Sequence, residues 1–404
     1  MFFKKFFALI VTLSLLFSAF TPAVFAATET EISGNGSFST NTVDIVESEN
    51  KVVVQNNDAV IENIINSEAI SGKNNVGDNT GGDVSLFTGN AITSVEVSNL
   101  ANLNQASIED CDGCPSDETA KISGNGSMSD NDITKFSCTD IAVFQDNFAD
   151  FNNDVNAKAV SGYNDANGNT GGDVTVSTGA AGASIVIDNT ANANIATVGG
   201  DENGEETGAV EATIAGNGSY SLNNISLFEN RLVSIVQENL ALITNQANAE
   251  AVSGKNDVFD NTGGSVFVDT GTALADVEIN NLANFNWADV ECCLTQEATE
   301  ISGNGSVSSN NVFLDEIDSL FLFQNEGENE GGWLQFSNWV DAYPKSGYND
   351  AFRNTGSVQS DPTLFTGMAV SEVDVENTGG LNVFGDFPEL DFEFNLGQVW
   401  GLLF

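Results

Sequence analysis

The cysteines are the most reactive side chains in this sequence: Cys111, Cys114, Cys138, Cys292 and Cys293. In an exported chain thiols pair by default. Cys111-Asp-Gly-Cys114 can close on itself or pair with Cys138, so all five are disulfide candidates. An odd count leaves at least one thiol free or joined to another molecule. A metal on the Cys-x-x-Cys pair lacks a fourth ligand nearby. A second set is acidic. Asp78, Asp83, Asp165, Asp173, Asp257 and Asp260 stand in Asn/Gly-rich turns, where carboxylates and amide carbonyls could hold Ca²⁺. The Gly offset does not suit an EF-hand, and Arg353 takes a place in the fourth copy, so solvated turn residues are the simpler reading. A third set is aromatic: Trp333, Trp339, Tyr343 and Tyr348 cluster near the C-terminal end and could stack on sugar rings.

There is no His. That removes the commonest general base, the commonest transition-metal ligand and every Ser-His-Asp or Cys-His arrangement. A carboxylate pair could still hydrolyse a glycoside, but no acid pair recurs at a fixed place. No catalytic residue is assigned, the chain reads as a non-enzyme, and Ca²⁺ is the one cofactor the residues suggest.

The formal net charge is −47 over 404 residues. Lys4 and Lys5 precede an apolar run, Phe6 to Phe20, then Pro22 and a small-residue site ending at Ala26. This is the pattern of a secretory signal peptide over residues 1–26. The apolar run is shorter than the ~20 residues of a spanning helix. Without it, nine basic side chains face 58 acidic ones. Such a chain is not expected to bind nucleic acid or an anionic membrane. The acidity serves solubility and self-repulsion at a cell surface.

The elements that must position these residues are repeats. Ile-x-Gly-Asn-Gly-Ser recurs at Ile32–Ser37, Ile122–Ser127, Ile214–Ser219 and Ile301–Ser306. Ser-Gly-Lys/Tyr-Asn recurs at Ser71–Asn74, Ser161–Asn164, Ser253–Asn256 and Ser346–Asn349. The order is the same in every unit, which divides the chain into units 27–120, 121–212, 213–299 and a degenerate 300–383, followed by an aromatic tail 384–404. Asn35, Asn125, Asn217 and Asn304 fit the N-glycosylation acceptor, but Asn-Gly is also a strong turn signal, and the turn is preferred.

Within each unit apolar residues alternate at period two between glycine turns, as in Asn79–Val97. Helix formers never dominate a long window. The predicted fold is all-β, a β-solenoid of four units of about 90 residues. Stacked coils explain the excess of Asn, which can hydrogen-bond to its equivalent above and below, and the small Ala and Gly. The alternative is four tandem β-sandwich domains, which leaves the Asn unexplained. About four coils per unit would give sixteen coils and a rod of about 75 Å. Unit four reads as a capping unit, and the tail as a strand over the last coil, with pairing to another chain or outer-membrane sorting as alternatives.

The block Gln-x-Asn-x-Ala, at Gln55–Ala59, Gln145–Ala149 and Gln237–Ala241, resembles the curlin repeat of extracellular fibres. Here Asn replaces the Gly after Gln, and the period is far longer. Asn-Thr-Gly-Gly and Thr-Gly-x-Ala make the chain similar to Asn/Gly/Thr-rich secreted β-repeat surface proteins of candidate-phylum bacteria. The resemblance implies an extracellular, non-catalytic surface protein. The expected function is a structural subunit of a fibre, sheath or surface layer, partnered by itself or by cell-surface components. The alternative is a monomeric surface adhesin or carbohydrate-binding rod.

Overall fold

The computed structural model describes residues 28–108, 118–199, 209–291, 296–325, 334–356 and 362–385. The signal segment, Cys111, Cys114, Cys292, Cys293, Trp333 and the tail from 386 onward lie outside the described residues.

Every regular element among the described residues is a strand. The first unit holds β1 (Thr28–Ser33), β2 (Thr40–Ile70), β3 (Asn75–Gly77), β4 (Val84–Phe87) and β5 (Ala91–Ile108). The second repeats them as β6 (Glu118–Ser123), β7 (Asp130–Val160), β8 (Asp165–Asn167), β9 (Val174–Thr178) and β10 (Ala181–Gly199). The third has β11 (Ala209–Ala215), β12 (Leu222–Val252), β13 (Asp257–Phe259), β14 (Val266–Thr270) and β15 (Ala273–Glu291). The fourth has β16 (Gln296–Ser302), β17 (Ser309–Asn325), β18 (Leu334–Lys345), β19 (Asp350–Phe352), β20 (Thr363–Thr366) and β21 (Ala369–Phe384).

Each strand pairs in parallel with its counterpart one unit away. Thr40 lies opposite Asp130, and the register runs without a slip to Ile70 opposite Val160. The same holds from β7 to β12. The molecule is therefore a β-solenoid, and tandem sandwich domains are excluded, because strands of separate domains would pair within units.

The coil count differs from expectation. One unit makes one coil, so there are four coils rather than sixteen. Three steps of about 4.8 Å give a stack only about 14 Å deep between the outermost backbones, not a 75 Å rod. The long dimension lies within the coil instead: β2 has 31 residues and runs about 100 Å at 3.3 Å per residue. The physical reason lies in the turns. The chain reverses only at the glycine markers, and period-two alternation continues unbroken between them.

In cross-section the coil is two layers. β5 runs back along the inside of β2: Gln55 Nε2 donates to Gln105 O at 2.8 Å, and Ser67 and Thr93 hydroxyls meet at 2.6 Å. β6 covers the start of β7, where Ala120, Ile122, Ile133 and Ile225 pack together. The main core sets Val155, Ala157 and Ala159 against Ile185 and Ile187. Small residues on one layer receive large ones from the other, which keeps the layers close. Inward residues of the middle coils are buried, and outward ones are not.

A bend interrupts β5, β10 and β15 at Asn102, Asn192 and Asn284, all with positive φ. Asn tolerates the left-handed region better than most residues. The fourth coil places Gly380, φ 76°, at the same step. Asn99-Leu-Ala-Asn102 and its counterparts Asn189–Asn192 and Asn281–Asn284 thus place a bend inside a strand.

Unit four continues the stack: β17 and β18 both pair with β12, separated by residues 326–333. Pro344, opposite Ala251, occupies an outermost strand, where a residue without an N–H is tolerated. The capping role expected of the tail lies outside the described residues.

Candidate functional site

The interior is organised by amide ladders. Asn63 Nδ2 donates to Asn153 Oδ1 at 2.7 Å, Asn153 to Asn245 at 2.7 Å, and Asn245 to Asn338 at 2.8 Å. Beside it runs Asn99–Asn189–Asn281–Asn377, with rungs of 2.7, 2.7 and 2.6 Å. The two ladders are cross-linked, because Asn63 also donates to Asn99 at 3.0 Å. Further Asn ladders start at Asn41, Asn74, Asn79 and Asn104. In all of them the lower coil donates and the upper accepts. The Gln ladder runs the other way: Gln145 donates to Gln55, Gln237 to Gln145 and Gln324 to Gln237, at 2.8, 2.8 and 2.7 Å.

These ladders fix the register. A hydrogen bond contributes about 1 kcal/mol net, but a buried amide left without its partner costs about 1–3 kcal/mol. A one-residue slip would turn every inward Asn outward and bring its neighbours inside. Glycines tighten the same stacking. A Cβ added to Gly126 or Gly218 would fall inside the backbone at Ser37 or Ser127 of the coil below, and one on Gly172 inside that of Gly82.

The turn markers are turns, as expected. Asn125 and Asn217 are only 3% exposed, and their Oδ1 atoms accept from the backbone N of Asn35 and Asn125 at 3.0 Å. Neither side chain is accessible to a glycan.

A band of charge also lies within the fold, and sequence reasoning did not find it. Lys135 Nζ is 2.5 Å from Glu118 Oε2 and 3.4 Å from Glu47 Oε2. One coil up, Arg231 Nη2 is 2.8 Å from Glu229 Oε1, and its Nη1 is 3.5 Å from Asp318 Oδ1. The band sits where β5 has ended and β6 begins, so no β5 strand faces it. A hydrogen bond with Glu118, followed by burial, raises the Glu47 carboxyl to about 7. Burial pushes Glu118 up, yet hydrogen bonds from Glu47 and Lys135 outweigh it and hold that carboxyl below the usual range. The signal was present in the sequence: Lys135 occupies an inward step of the alternation that begins at Asn131 and Ile133.

The six Asp candidates fall in three columns. Asp165 and Asp257 stand in register, with Asp350 next above. Burial and then these two neighbours raise the Asp257 carboxyl. Asp83 Oδ1 accepts from the Asp173 backbone N at 3.0 Å, and Asp173 Oδ1 accepts from Ser265 N at 2.7 Å. Asp78 and Asp260 take positive φ at the same corner, and Asp260 pairs with Arg353 at 2.8 Å. Among the described residues no three His, Cys, Asp or Glu side chains converge as a metal set would.

Of the aromatic candidates, Trp339 and Tyr343 lie on the outward face of β18, 76% and 55% exposed. Lys345 Nζ stands 3.7 Å from the Tyr343 ring centroid. Tyr348 is exposed at a corner with φ 59°. Cys138 is a free thiol on β7, with its sulfur 3.9 Å from Asn230 Nδ2.

The fold and its ladders define a class, the parallel β-solenoid with amide-laddered coils. No protein-family model matches the chain, and no significant match appears among curated proteins or solved structures.

Proposed function

We propose that this is a non-catalytic secreted structural protein, the subunit of an extracellular fibre, sheath or surface layer. The observation that supports this reading most is the continuous register of the first three coils, which the fourth extends in two segments, held by amide ladders along the interior. Such a construction supplies stiffness and repetition. Among the described residues the buried side-chain polar groups are consumed in rungs and ion pairs, save Arg231 Nε and Asn349 Nδ2. The N-terminal signal pattern agrees with export, and the charge of −47 agrees with an aqueous exterior setting. Electron microscopy of the chain lacking residues 1–26, with Ca²⁺ and with chelator, tests it. Filaments or sheets are expected; dispersed monomers at every salt and Ca²⁺ concentration would overturn it.

A second reading, a carbohydrate-binding surface rod, is favoured by Trp339 and Tyr343 on one exposed strand face with Asp341 between them. It predicts glycan binding that Trp339→Ala abolishes.

A further inference from the structure

The two ends of the stack are complementary, and we infer that the fourth coil of one copy takes the first coil of the next, parallel and in register, so that copies add head to tail. This rests on the structural-subunit reading above and supplies its geometry. Three independent observations lead to it.

The first is steric. In coils two to four, Gly126, Gly218 and Gly305 are glycines because a Cβ would strike the coil below. Their first-coil counterpart, Gly36, would meet nothing within 4 Å, and neither would Gly82, the counterpart of Gly172. Neither has positive φ. At the other end, a Cβ on Gly254 would strike Gly347 of the coil above, while one on Gly347 itself meets only the Thr366 methyl, at 3.9 Å. Nothing within the described chain requires glycine at 36, 82 or 347. A further coil below the first and above the fourth would require it at 36 and 347.

The second is an unfilled bond. Asn74, Asn164 and Asn256 each donate Nδ2 to the next rung, at 3.1, 2.9 and 2.9 Å. The top rung is Asn349, whose Nδ2 is buried and has no hydrogen-bond partner among the described residues. Its missing acceptor corresponds to Oδ1 of Asn74 in another copy.

The third is polarity. The Asn ladders leave donors on the fourth coil and carbonyls on the first, whereas the reversed Gln ladder leaves an acceptor at Gln324 and a donor at Gln55. Head-to-tail stacking joins every unlike pair. Stacking two first coils or two fourth coils would set like against like. The register also carries Asp78 of the added copy over Arg353. The interface is heterologous and open, so it propagates, adding about 19 Å per copy at 4.8 Å per coil.

Two features make this junction weaker than those within a chain. Ser253 N donates to Lys345 O, so the alternation turns Pro344 toward the outer edge, where it offers no N–H. The small Ala69 is the residue it would meet. Glu316 comes over Glu47, and the net charge repels. Screening by salt is therefore required.

The test uses one-sided blocks at high salt. Gly36→Arg with Gly82→Arg closes the first-coil end; Gly347→Arg closes the fourth-coil end. The two first-coil side chains enter open space and the third meets only the Thr366 methyl in ordinary contact, and matched far-UV circular dichroism and melting temperatures establish the fold. The expected result is that wild type elongates, each variant alone stays monomeric in sedimentation velocity, and their mixture stops at dimers. If either variant alone dimerises or elongates like wild type, or the mixture stays monomeric, the inference is overturned. Wild-type filaments that persist in both variants would overturn the end-to-end geometry and leave the structural-subunit reading standing. Wild type that never associates would overturn both.

Discussion

Asn63 and Asn153 lie 90 residues apart in sequence and donate and accept one hydrogen bond of 2.7 Å. That bond states the construction of the molecule: one repeat of the sequence is one step of the stack. Asn153 then donates to Asn245 and to Asn189, so a single amide joins two coils and two layers.

Asn153→Leu is expected to destabilise the fold by about 3 kcal/mol, because it takes one hydrogen bond from each of the amides of Asn63, Asn99, Asn189 and Asn245 in the interior. Asn66→Leu, on the outward face of the first coil, is expected to stay within about 0.5 kcal/mol of wild type. Denaturant unfolding of the two variants side by side reads the contrast. Equal effects would show that the ladders contribute nothing beyond strand pairing.

The glycines supply a sharper contrast between chemically identical changes. Gly172→Ala forces a methyl group into the Gly82 backbone and is expected to cost at least about 2 kcal/mol, as overpacking does. Gly82→Ala meets open space and is expected to be neutral or stabilising by about 0.5 kcal/mol, through lower entropy of the unfolded chain. Melting temperatures measured at low concentration and low salt, where copies repel, make the comparison. A loss of stability at Gly82 as large as at Gly172 would contradict the open first coil.

Much of this was legible in the sequence, and the errors have physical causes. Asn41, Asn63, Asn74 and Asn79 recur at the unit period, and stacking was the economical account of them. The turns at Asn35 and at Gly81 were read correctly, because Asn-Gly and Gly-Gly report local backbone needs. The coil count was not legible from the short-coil analogy. The period of 90 was itself the coil length, but a strand as long as β2 is far from the usual five or six residues. Lys135 and Glu118 were missed because alternation marks a face without saying which charges it will bring together. They are 17 residues apart in sequence and meet only when β6 folds over β7. The six Asp candidates shared a local environment, which the structure divides among three columns.

Asp257 is expected to be a site of repulsion, since Asp165 and Asp350 flank it one coil away on each side. Its raised pKa means that the folded state holds a proton the unfolded chain has already released. Stability is therefore lost as pH rises from the ordinary Asp value of 3.8 through the raised one. Asp257→Asn is expected to stabilise the neutral protein by about 0.5 kcal/mol, the scale of a like-charged cross-strand pair. The gain is expected to vanish below pH 3.8. A stabilisation that is the same at acid and neutral pH would rule out charge as its cause.

Glu250 behaves in the opposite sense. Burial raises its carboxyl, but hydrogen bonds from Lys158 at 2.6 Å and Lys345 at 3.0 Å lower it further. Its contribution is present above the unfolded value of 4.5 and is lost as pH falls through the depressed one. Glu250→Gln is expected to cost about 1 kcal/mol or less at pH 7, because Lys158 is well exposed. In acid the variant is expected to match wild type. Urea titrations at the two pH values decide it; a deficit that survives in acid would assign the effect to packing rather than to the ion pairs.

The widest pH window belongs to Glu47. Glu118 and Lys135 face it from β6 and β7, and Glu49 and Lys51 follow on its own strand. Its carboxyl titrates near 7 in the fold against an ordinary value of 4.5. The folded protein thus retains a proton across that interval, and stability declines as pH rises from 4.5 toward 7. Glu47→Gln keeps a hydrogen-bond donor toward Glu118 and cannot ionise. The variant is expected to melt with wild type at pH 4 and above it at pH 8, with the difference opening between about 4.5 and 7. The same variant removes one of the two carboxylates that a head-to-tail junction would bring together, so its filaments are expected to form at lower salt than wild type at pH 8. If melting shifts while the salt requirement does not, Glu47 lies away from the junction, and the stacking register must differ from the one within the chain.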